Sequence, residues 1–181
     1  MKGVCNKRPF FRERESLRFA VMGKKQLIQE IIKKLEEELD VILQAANEAH
    51  NTATHEESVA ENKYDTFGLE ASYLAAGLSR RVDELKGVIR DYQLLKTAPL
   101  LETSVRVGAM VALENEAGEQ GHFFFVGPGG AGIQVDTSAG NYKVVTPSSP
   151  IGQQMVGKDI GDEVSLGVSG QTQIFEIVAI N

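Results

Sequence analysis

The fold is decided by a stretch near the start of the chain, residues 25–54, which reads KQLIQEIIKKLEEELDVILQAANEAHNTAT. Its apolar residues alternate four and three positions apart, at Ile28, Ile32, Leu35, Leu39, Ile42, Ala46 and Ala49. Charged and amide side chains fill most other positions, so the spacing predicts a helix with one apolar face and solvated remaining faces. This alternation is typical of one arm of a coiled coil.

A second arm with the same spacing follows after a short polar segment. Its apolar residues are Ala71, Ala75, Leu78, Val82, Leu85, Ile89 and Tyr92. We expect this helix to cover residues 58–96 and to end before Pro99, because proline cannot continue a helical hydrogen-bond ladder. Gly68, Gly77 and Gly87 each cost about 1 kcal/mol relative to alanine, which predicts a more flexible arm. The matching lengths predict an intramolecular antiparallel hairpin; a dimerising coiled coil and two core helices of a bundle are the alternatives.

After Pro99 the apolar residues fall into short runs separated by turn-forming residues, which predicts strands. The expected strands are 105–113, 122–126, 132–135, 141–145, 163–168 and 172–180, with one or two helical turns at 151–157. The predicted fold class is therefore α+β, with an N-terminal antiparallel helical coiled-coil hairpin and a small C-terminal antiparallel β domain. The predicted domains are a basic, disordered extension at 1–23, the coiled coil at 24–98 with an acidic tip at about 55–66, and the β domain at 99–181.

Composition excludes several classes of protein. The 181 residues carry a net charge of −6, and the first 25 hold eight Lys or Arg against two Glu, which leaves −12 for the rest. An acidic body argues against wrapping a nucleic-acid backbone. The single cysteine, Cys5, excludes an intramolecular disulfide and a multi-cysteine metal site, which favours a reducing, cytoplasmic location. No stretch has the roughly 20 apolar residues of a membrane span. The basic start lacks the apolar stretch of a secretory signal, and Met22 is an alternative start of translation.

The strongest motif lies at residues 148–166, SSPIGQQMVGKDIGDEVSL. Together with the hairpin and the Glu61–Asn62 pair in the polar segment, it resembles the Gre family of bacterial transcript-cleavage and elongation factors. The positions that match the family signature are Ser149, Pro150, Ile151, Gly157, Lys158, Gly161, Asp162 and Val164. The resemblance covers about residues 24–181.

This resemblance implies a domain similar to the FK506-binding-protein fold that binds RNA polymerase, while the coiled coil enters the secondary channel of the enzyme. The expected polymerase-binding residues are Ser149, Pro150, Ile151, Gly157 and Lys158. The implied partner is RNA polymerase, with nascent RNA contacted only indirectly and no membrane, and we expect a monomer. The protein would have no active site and no cofactor of its own, and would share Mg²⁺ with the polymerase.

The tip departs from the family pattern. The family motif D-x-x-E-N falls on Ser58-Val59-Ala60-Glu61-Asn62, so a neutral serine occupies the aspartate position. Glu61 is then the expected metal contact, and Glu57 or Asp65, four residues away on the same helical face, would replace the missing carboxylate. A capping box from Ser58 to Glu61 is the alternative interpretation, and it needs no metal.

A second departure is the glycine-rich run GPGGAG at 127–132, where the family usually has an acidic loop. We expect a tight turn between strands, because a phosphate-binding loop would need a following helix and a lysine-serine pair. Two other functions stay open at this point. One is a channel-binding inhibitor or competitor without cleavage stimulation. The other is an isomerase or chaperone-like module related to FK506-binding proteins.

Overall fold

The computed structural model describes residues 23–55, 66–96, 104–115, 118, 120–137, 140–168 and 171–181. These residues form two compact units. One unit is Ile31–Leu94, and the other contains the described parts of Met1–Glu30 and Leu95–Asn181.

The first unit is a helical hairpin, as predicted. Helix α1 is Lys24–Thr54 and helix α2 is Phe67–Leu94, so residues 24–30 of α1 belong to the other unit. Ten of the fourteen predicted seam positions are buried, namely Ile28, Leu35, Ala46, Ala49, Ala71, Ala75, Val82, Leu85, Ile89 and Tyr92. Leu27 and Ile31 are also fully buried although they lie outside the predicted seam. A helix that packs in a globular structure buries a wider apolar face than a strict coiled-coil seam does, and this explains both residues.

The second unit contains a six-stranded sheet. The strands are β1 (Met110–Asn115), β2 (Gln120–Val126), β3 (Gln134–Thr137), β4 (Gly140–Val145), β5 (Glu163–Val168) and β6 (Gln171–Ile180), and helix α3 (Pro150–Met155) lies between β4 and β5. Their order in the sheet is β3-β4-β2-β1-β6-β5. Each of the six predicted strand regions contains a strand. In the first region the strand begins only at Met110, so Val105 and Val107 lie outside it. The predicted α+β class is confirmed, whereas similarity to the FK506-binding-protein fold stays a prediction.

The sheet is not wholly antiparallel, which corrects the prediction. Strands β2 and β4 pair in parallel, from Phe123 opposite Tyr142 to Val126 opposite Val145, while the other four pairings are antiparallel. Strand β4 separates β2 from β3, so β2 and β3 do not form a hairpin. The connection between them must span two strand spacings, about 9.6 Å, which seven residues cover easily.

The glycine-rich run 127–132 forms most of this connection, so it is a crossover past the end of β4 and not the predicted tight turn between adjacent strands. The Gly127 amide donates to the carbonyl oxygen of Val145 at 2.8 Å, and the Gly132 amide donates to that of Val144 at 2.9 Å. Gly132 adopts a φ of 94°, a conformation that favours glycine. The run therefore bonds to the strand that it passes.

Residues on both faces of the sheet are buried along β1 and at the end of β2. One face forms a cluster around Leu113, Phe124 and Ile177, and Ile151 of α3 packs against it. On the other face, Phe125 is also fully buried. Successive strand residues point to opposite faces, so burial of both Phe124 and Phe125 explains why the strand sequence is continuously apolar there. Within the described residues, neither long helix has an apolar stretch that could cross a membrane.

Candidate functional site

The predicted tip residues lie outside the described part of the chain. They are Glu57, Ser58, Glu61, Asn62 and Asp65. Their expected roles, including the metal contact of Glu61, stay predictions. Among the residues that the structure does describe, no group of three His, Cys, Asp or Glu side chains is arranged to hold a metal ion.

The helix ends that flank the tip are defined by local hydrogen bonds. At the end of α1, the Thr54 hydroxyl donates to the carbonyl oxygen of His50 at 3.0 Å. At the start of α2, the Thr66 carbonyl oxygen accepts from the Glu70 amide at 2.8 Å, and the Thr66 hydroxyl donates to Glu70 Oε1 at 2.7 Å. The two helices thus present residues 55 and 66 as the attachment points of the acidic segment.

The second candidate site is the signature segment, residues 146–163, which includes α3. Ser149 is the N-cap of α3 in an extended conformation. Its hydroxyl donates to the carbonyl oxygen of Thr146 at 2.7 Å and accepts from the Gly152 amide at 3.1 Å. Pro150 occupies the first helical position, where a missing amide hydrogen costs nothing and the fixed φ favours the helix. Ser149 and Pro150 therefore start α3.

Gly152 is a position that shapes the signature segment and that the sequence analysis missed. A Cβ atom at this residue would lie 1.9 Å from the carbonyl oxygen of Thr146 and 3.0 Å from Ser149 Oγ. Only glycine allows the helix to approach the preceding turn this closely. The sequence signal was the glycine directly after Ser149-Pro150-Ile151. Because glycine weakens a helix, its presence there indicates a close contact that leaves no room for a side chain.

Gly157 and Lys158 join the signature segment to the chain before β1. The Gly157 amide donates to the carbonyl oxygen of Val105 at 2.8 Å, and the Val105 amide donates to that of Lys158 at 2.8 Å. Gly157 has a φ of 85°, in the left-handed region. The Lys158 ammonium donates to the carbonyl oxygen of Glu163. Both predicted binding residues thus have contacts within the chain.

Gly161 and Asp162 form the turn that leads into β5. The Asp162 carboxylate accepts from the Asp159 amide at 2.8 Å. The Gly161 amide donates to the carbonyl oxygen of Ile177 at 2.8 Å, and the Ile177 amide donates to that of Asp162 at 2.9 Å. These bonds attach the turn to β6.

The signature segment therefore separates into residues that shape it and residues that it exposes. Among the five predicted polymerase-binding residues, Pro150 and Gly157 are exposed, while Ser149, Ile151 and Lys158 are partly buried. Two apolar side chains that the sequence analysis did not select are also exposed, Val156 and Ile160, each at 40%. From the start of α3 onward, the exposed apolar residues of this segment are Pro150, Val156 and Ile160, and we call them the signature surface.

Electrostatics in the hairpin centre on Arg81. Its guanidinium contacts Glu38 Oε1 at 2.8 Å and Glu84 Oε2 at 3.3 Å. The hydrogen bond to Glu38 is the main cause that raises the pKa of Arg81. Because the three side chains are between 41% and 65% exposed, water and salt screen these ion pairs, and each is worth at most about 1 kcal/mol.

Three other groups have shifted pKa values that burial causes. Burial, followed by the positive charge of Arg106, lowers the pKa of Lys24. Burial raises the pKa of Tyr92, and it raises the pKa of Tyr142 to about 12. Tyr142 lies in the sheet, and Tyr92 lies on the hairpin seam. These shifts therefore reflect packing in each unit.

Comparison with known proteins finds similarity to one group of transcription factors. Residues 101–181 match the family model for the C-terminal part of the GreA/GreB transcription elongation factors. Transcription elongation factor GreA of Desulfovibrio desulfuricans is 29% identical over 168 residues, which cover 92% of this chain and 94% of that protein. Transcription elongation factor GreB of Pasteurella multocida is 35% identical over 89 residues, which cover 49% of this chain and 52% of that protein.

A solved structure is also similar to this chain. The crystal structure of GreA factor homolog 1 (Gfh1) of Thermus thermophilus has 25% sequence identity, and the match covers 83% of this chain and 94% of that chain with a TM-score of 0.34.

Proposed function

We propose that the chain is a transcription elongation factor of the Gre family and that its partner is RNA polymerase. The observation that carries this proposal is the family match over residues 101–181, which includes all six strands and the signature segment. The helical hairpin before it completes the arrangement that the resemblance implies. The protein acts on the active site of the polymerase and has none of its own.

We propose that the hairpin enters the secondary channel of the polymerase with the acidic tip leading. The length of the helices supports this. Helix α1 has 31 residues and α2 has 28. At 1.5 Å per residue the longer helix extends about 46 Å, enough to reach well into a large enzyme. The nascent RNA is then affected only through the polymerase.

The signature surface is the proposed contact of the sheet-containing unit with the polymerase. Pro150, Val156 and Ile160 are exposed apolar side chains on a segment that several backbone hydrogen bonds hold in place. A rigid surface loses little conformational entropy on binding. Ser149 and Gly157 contribute by fixing the shape of this segment, and Ile151 and Lys158 contribute through their partly exposed atoms.

At the tip, oxygen atoms of Glu61 with Glu57 or Asp65 are suitable ligands for a polymerase-bound Mg²⁺. A metal ion held there would polarise phosphoryl oxygens and lower the pKa of a bound water. The chain itself contributes negative charge and acceptor oxygens. Ser58 removes one charge from the set that the family motif supplies, and this observation favours a second candidate function, a channel-binding competitor without cleavage stimulation. The similarity to GreA and GreB does not favour the isomerase or the chaperone-like alternative.

Backtracked elongation complexes with end-labelled RNA test the proposal. The wild-type protein is expected to bind polymerase in a pull-down and to change either transcript cleavage or elongation. Glu61→Ala should retain binding and lose the effect on cleavage, while Ser58→Asp should increase cleavage. Glu37→Ala is the matched control, because Glu37 is an exposed α1 carboxylate remote from the tip.

Absence of binding together with unchanged cleavage and elongation would refute the proposed function. Binding without cleavage by the wild type, with cleavage gained in Ser58→Asp, would select the competitor.

A further inference from the structure

Strand β5 forms one edge of the sheet. The sheet order ends at β5, which pairs with β6 alone among the described strands. The outward backbone groups of an edge strand can bond to a strand of another molecule, so proteins usually protect such edges. The other edge strand, β3, has four residues, whereas β5 has six. A short strand offers few bonds, so β5 is the edge that most needs protection.

The residues of β5 do not protect this edge themselves. Proline, lysine and β-bulges are common means by which an edge strand resists pairing. The strand reads EVSLGV, without proline or lysine, and its one charged residue is Glu163 at the start. Its register with β6 is continuous from Glu163 to Val168. Any protection of this edge therefore comes from outside the strand.

Alternate residues of β5 direct their backbone amide and carbonyl groups away from β6. In an antiparallel pair, every second residue bonds to the neighbouring strand, and the residues between them face the other side. The Ser165 amide bonds to the side chain of Gln154, which lies on α3, so Ser165 faces outward. Glu163 and Gly167, two positions away on either side, face outward as well.

Two side chains of the signature segment occupy these outward groups. Gln154 Oε1 accepts from the Ser165 amide at 3.1 Å. The Lys158 ammonium donates to the carbonyl oxygen of Glu163. One acceptor and one donor thus take the places that the carbonyl oxygen and the amide of a neighbouring strand would take. Because they bond to two consecutive outward residues, an added strand would have to displace both.

The backbone that carries the two side chains is itself bonded in place. The carbonyl oxygen of Lys158 accepts from the Val105 amide at 2.8 Å. Gln154 lies on α3 beside Met155, which is fully buried in the core. Both side chains therefore reach β5 from fixed positions, and the edge is covered within a single chain.

We propose that Gln154 and Lys158 close the outer edge of β5 against strand addition by a second copy of this chain. A second copy fits this edge because β5 can pair antiparallel with itself. In a two-fold arrangement centred on Ser165, Glu163 lies opposite Gly167, so no two like charges meet. A Cβ atom added at Gly167 would meet open space, which leaves room for the second strand. This role needs no polymerase and goes beyond the proposed function.

Self-association of a chain with an uncovered edge tests the proposal. The double variant Gln154→Ala, Lys158→Ala is compared with the wild type by sedimentation velocity over a range of protein concentrations. It is expected to dimerise with a dissociation constant at least about tenfold lower than that of the wild type. The matched control is Gln153→Ala, Lys143→Ala, which removes an exposed glutamine of α3 and an exposed lysine of β4 and changes the net charge equally. The control should behave as the wild type does.

A lysine on the strand itself should restore the monomer. Ser165 is exposed and lies at the centre of the two-fold arrangement, so Ser165→Lys would bring two positive charges opposite each other. Added to the double variant, this change is expected to return the dissociation constant to within about threefold of the wild-type value. Dimerisation that Ser165→Lys leaves unchanged would locate the contact elsewhere and overturn the proposal. A double variant that associates no more than the wild type would overturn it as well.

Amide hydrogen exchange checks the cover on the edge without any need for association. In Gln154→Ala, the Ser165 amide loses its acceptor and is expected to exchange at least about tenfold faster than in the wild type, measured by NMR at low protein concentration. The Val164 amide, which faces β6, is the internal control and should change less than about twofold. An unchanged rate at Ser165 would show that Gln154 does not protect the edge. Equally faster exchange at both amides would mean that Gln154 supports the whole strand, which would also overturn the proposal.

Discussion

Replacing Gly152 with alanine is expected to destabilise the sheet-containing unit strongly. The added Cβ would lie 1.9 Å from the carbonyl oxygen of Thr146, so the helix or the turn must move by about 1 Å or more to restore ordinary contact distances. That movement breaks the bonds by which the turn starts α3. They are the Ser149 amide to the Thr146 carbonyl at 3.0 Å, the Ser149 hydroxyl to the same oxygen at 2.7 Å, and the Gly152 amide to the Ser149 hydroxyl at 3.1 Å.

Three hydrogen bonds at about 1 kcal/mol each give an expected loss of about 3 kcal/mol in the free energy of unfolding. Met155, which is fully buried in the core, must also repack. Amide hydrogen exchange in increasing urea, read by mass spectrometry of peptides, measures the stability of each unit separately. This matters because the two units need not unfold together.

Alanine substitutions at two other glycines distinguish the cost of a steric clash from the cost of an unfavourable φ angle. Gly157→Ala meets open space but retains a φ of 85°, so we expect a loss of about 1 kcal/mol. Gly77→Ala, in the interior of α2 and also facing open space, is expected to stabilise the hairpin by about 0.5–1 kcal/mol. If Gly152→Ala costs no more than Gly157→Ala, the argument from close approach is wrong.

Three further predictions concern a helix cap, an ion pair and a buried phenol. Ser149→Ala should lower the free energy of unfolding by about 1 kcal/mol through loss of the N-cap, measured by urea denaturation, whereas the exposed Ser148→Ala should change it little. Arg81→Met should cost less than about 1 kcal/mol at low salt, and a similar loss in 1 M NaCl would contradict an ion-pair origin. Burial raises the pKa of Tyr142 from about 10 to about 12. The folded protein therefore keeps the phenol protonated to a higher pH than the unfolded chain does, and the free energy of unfolding decreases between pH 10 and pH 12. Absorbance at 295 nm during alkaline titration should detect this late ionisation, and Tyr142→Phe should remove it and weaken the alkaline loss of stability.

The sequence was sufficient to predict the hairpin because its apolar periodicity is a local signal. The spacing from Ala71 to Tyr92 identified a helix face whose residues are nearly all buried. The same method missed Leu27 and Ile31, because a heptad template selects two positions in seven and a packed helix buries more. The strands were predicted from runs of apolar residues for the same local reason.

The order of the strands in the sheet could not be predicted from local apolar patterns. The parallel pairing of β2 with β4 depends on which distant segments meet, and neither segment carries a local mark of its partner. Antiparallel neighbours were expected because consecutive strands usually pair, and the seven residues between β2 and β3 gave no reason to expect a strand between them. For the same reason, the sequence analysis did not predict that residues 127–132 cross the end of β4.

At the candidate site, the sequence motif was recognised, but the structure gives several of its residues a different role from the predicted one. Ser149, Gly157 and Asp162 match a family signature, and the structure engages each of them in hydrogen bonds within the chain. A motif does not distinguish a residue that contacts a partner from one that holds the contacting segment in shape. Val156 and Ile160 are exposed but have no distinctive sequence pattern, so only a structure could select them.

The position of β6 in the sheet has a consequence for synthesis of the protein. β6 is the last strand along the chain, yet it lies between β1 and β5 and pairs with both. While the ribosome is still adding these residues, β5 has no strand to pair with and β1 has an open edge, and Phe175 and Ile177 are missing from the core. Such an edge can pair with other chains. The growing polypeptide therefore passes through a stage at which it is prone to aggregate, and this stage ends only when β6 has emerged and inserted between β1 and β5.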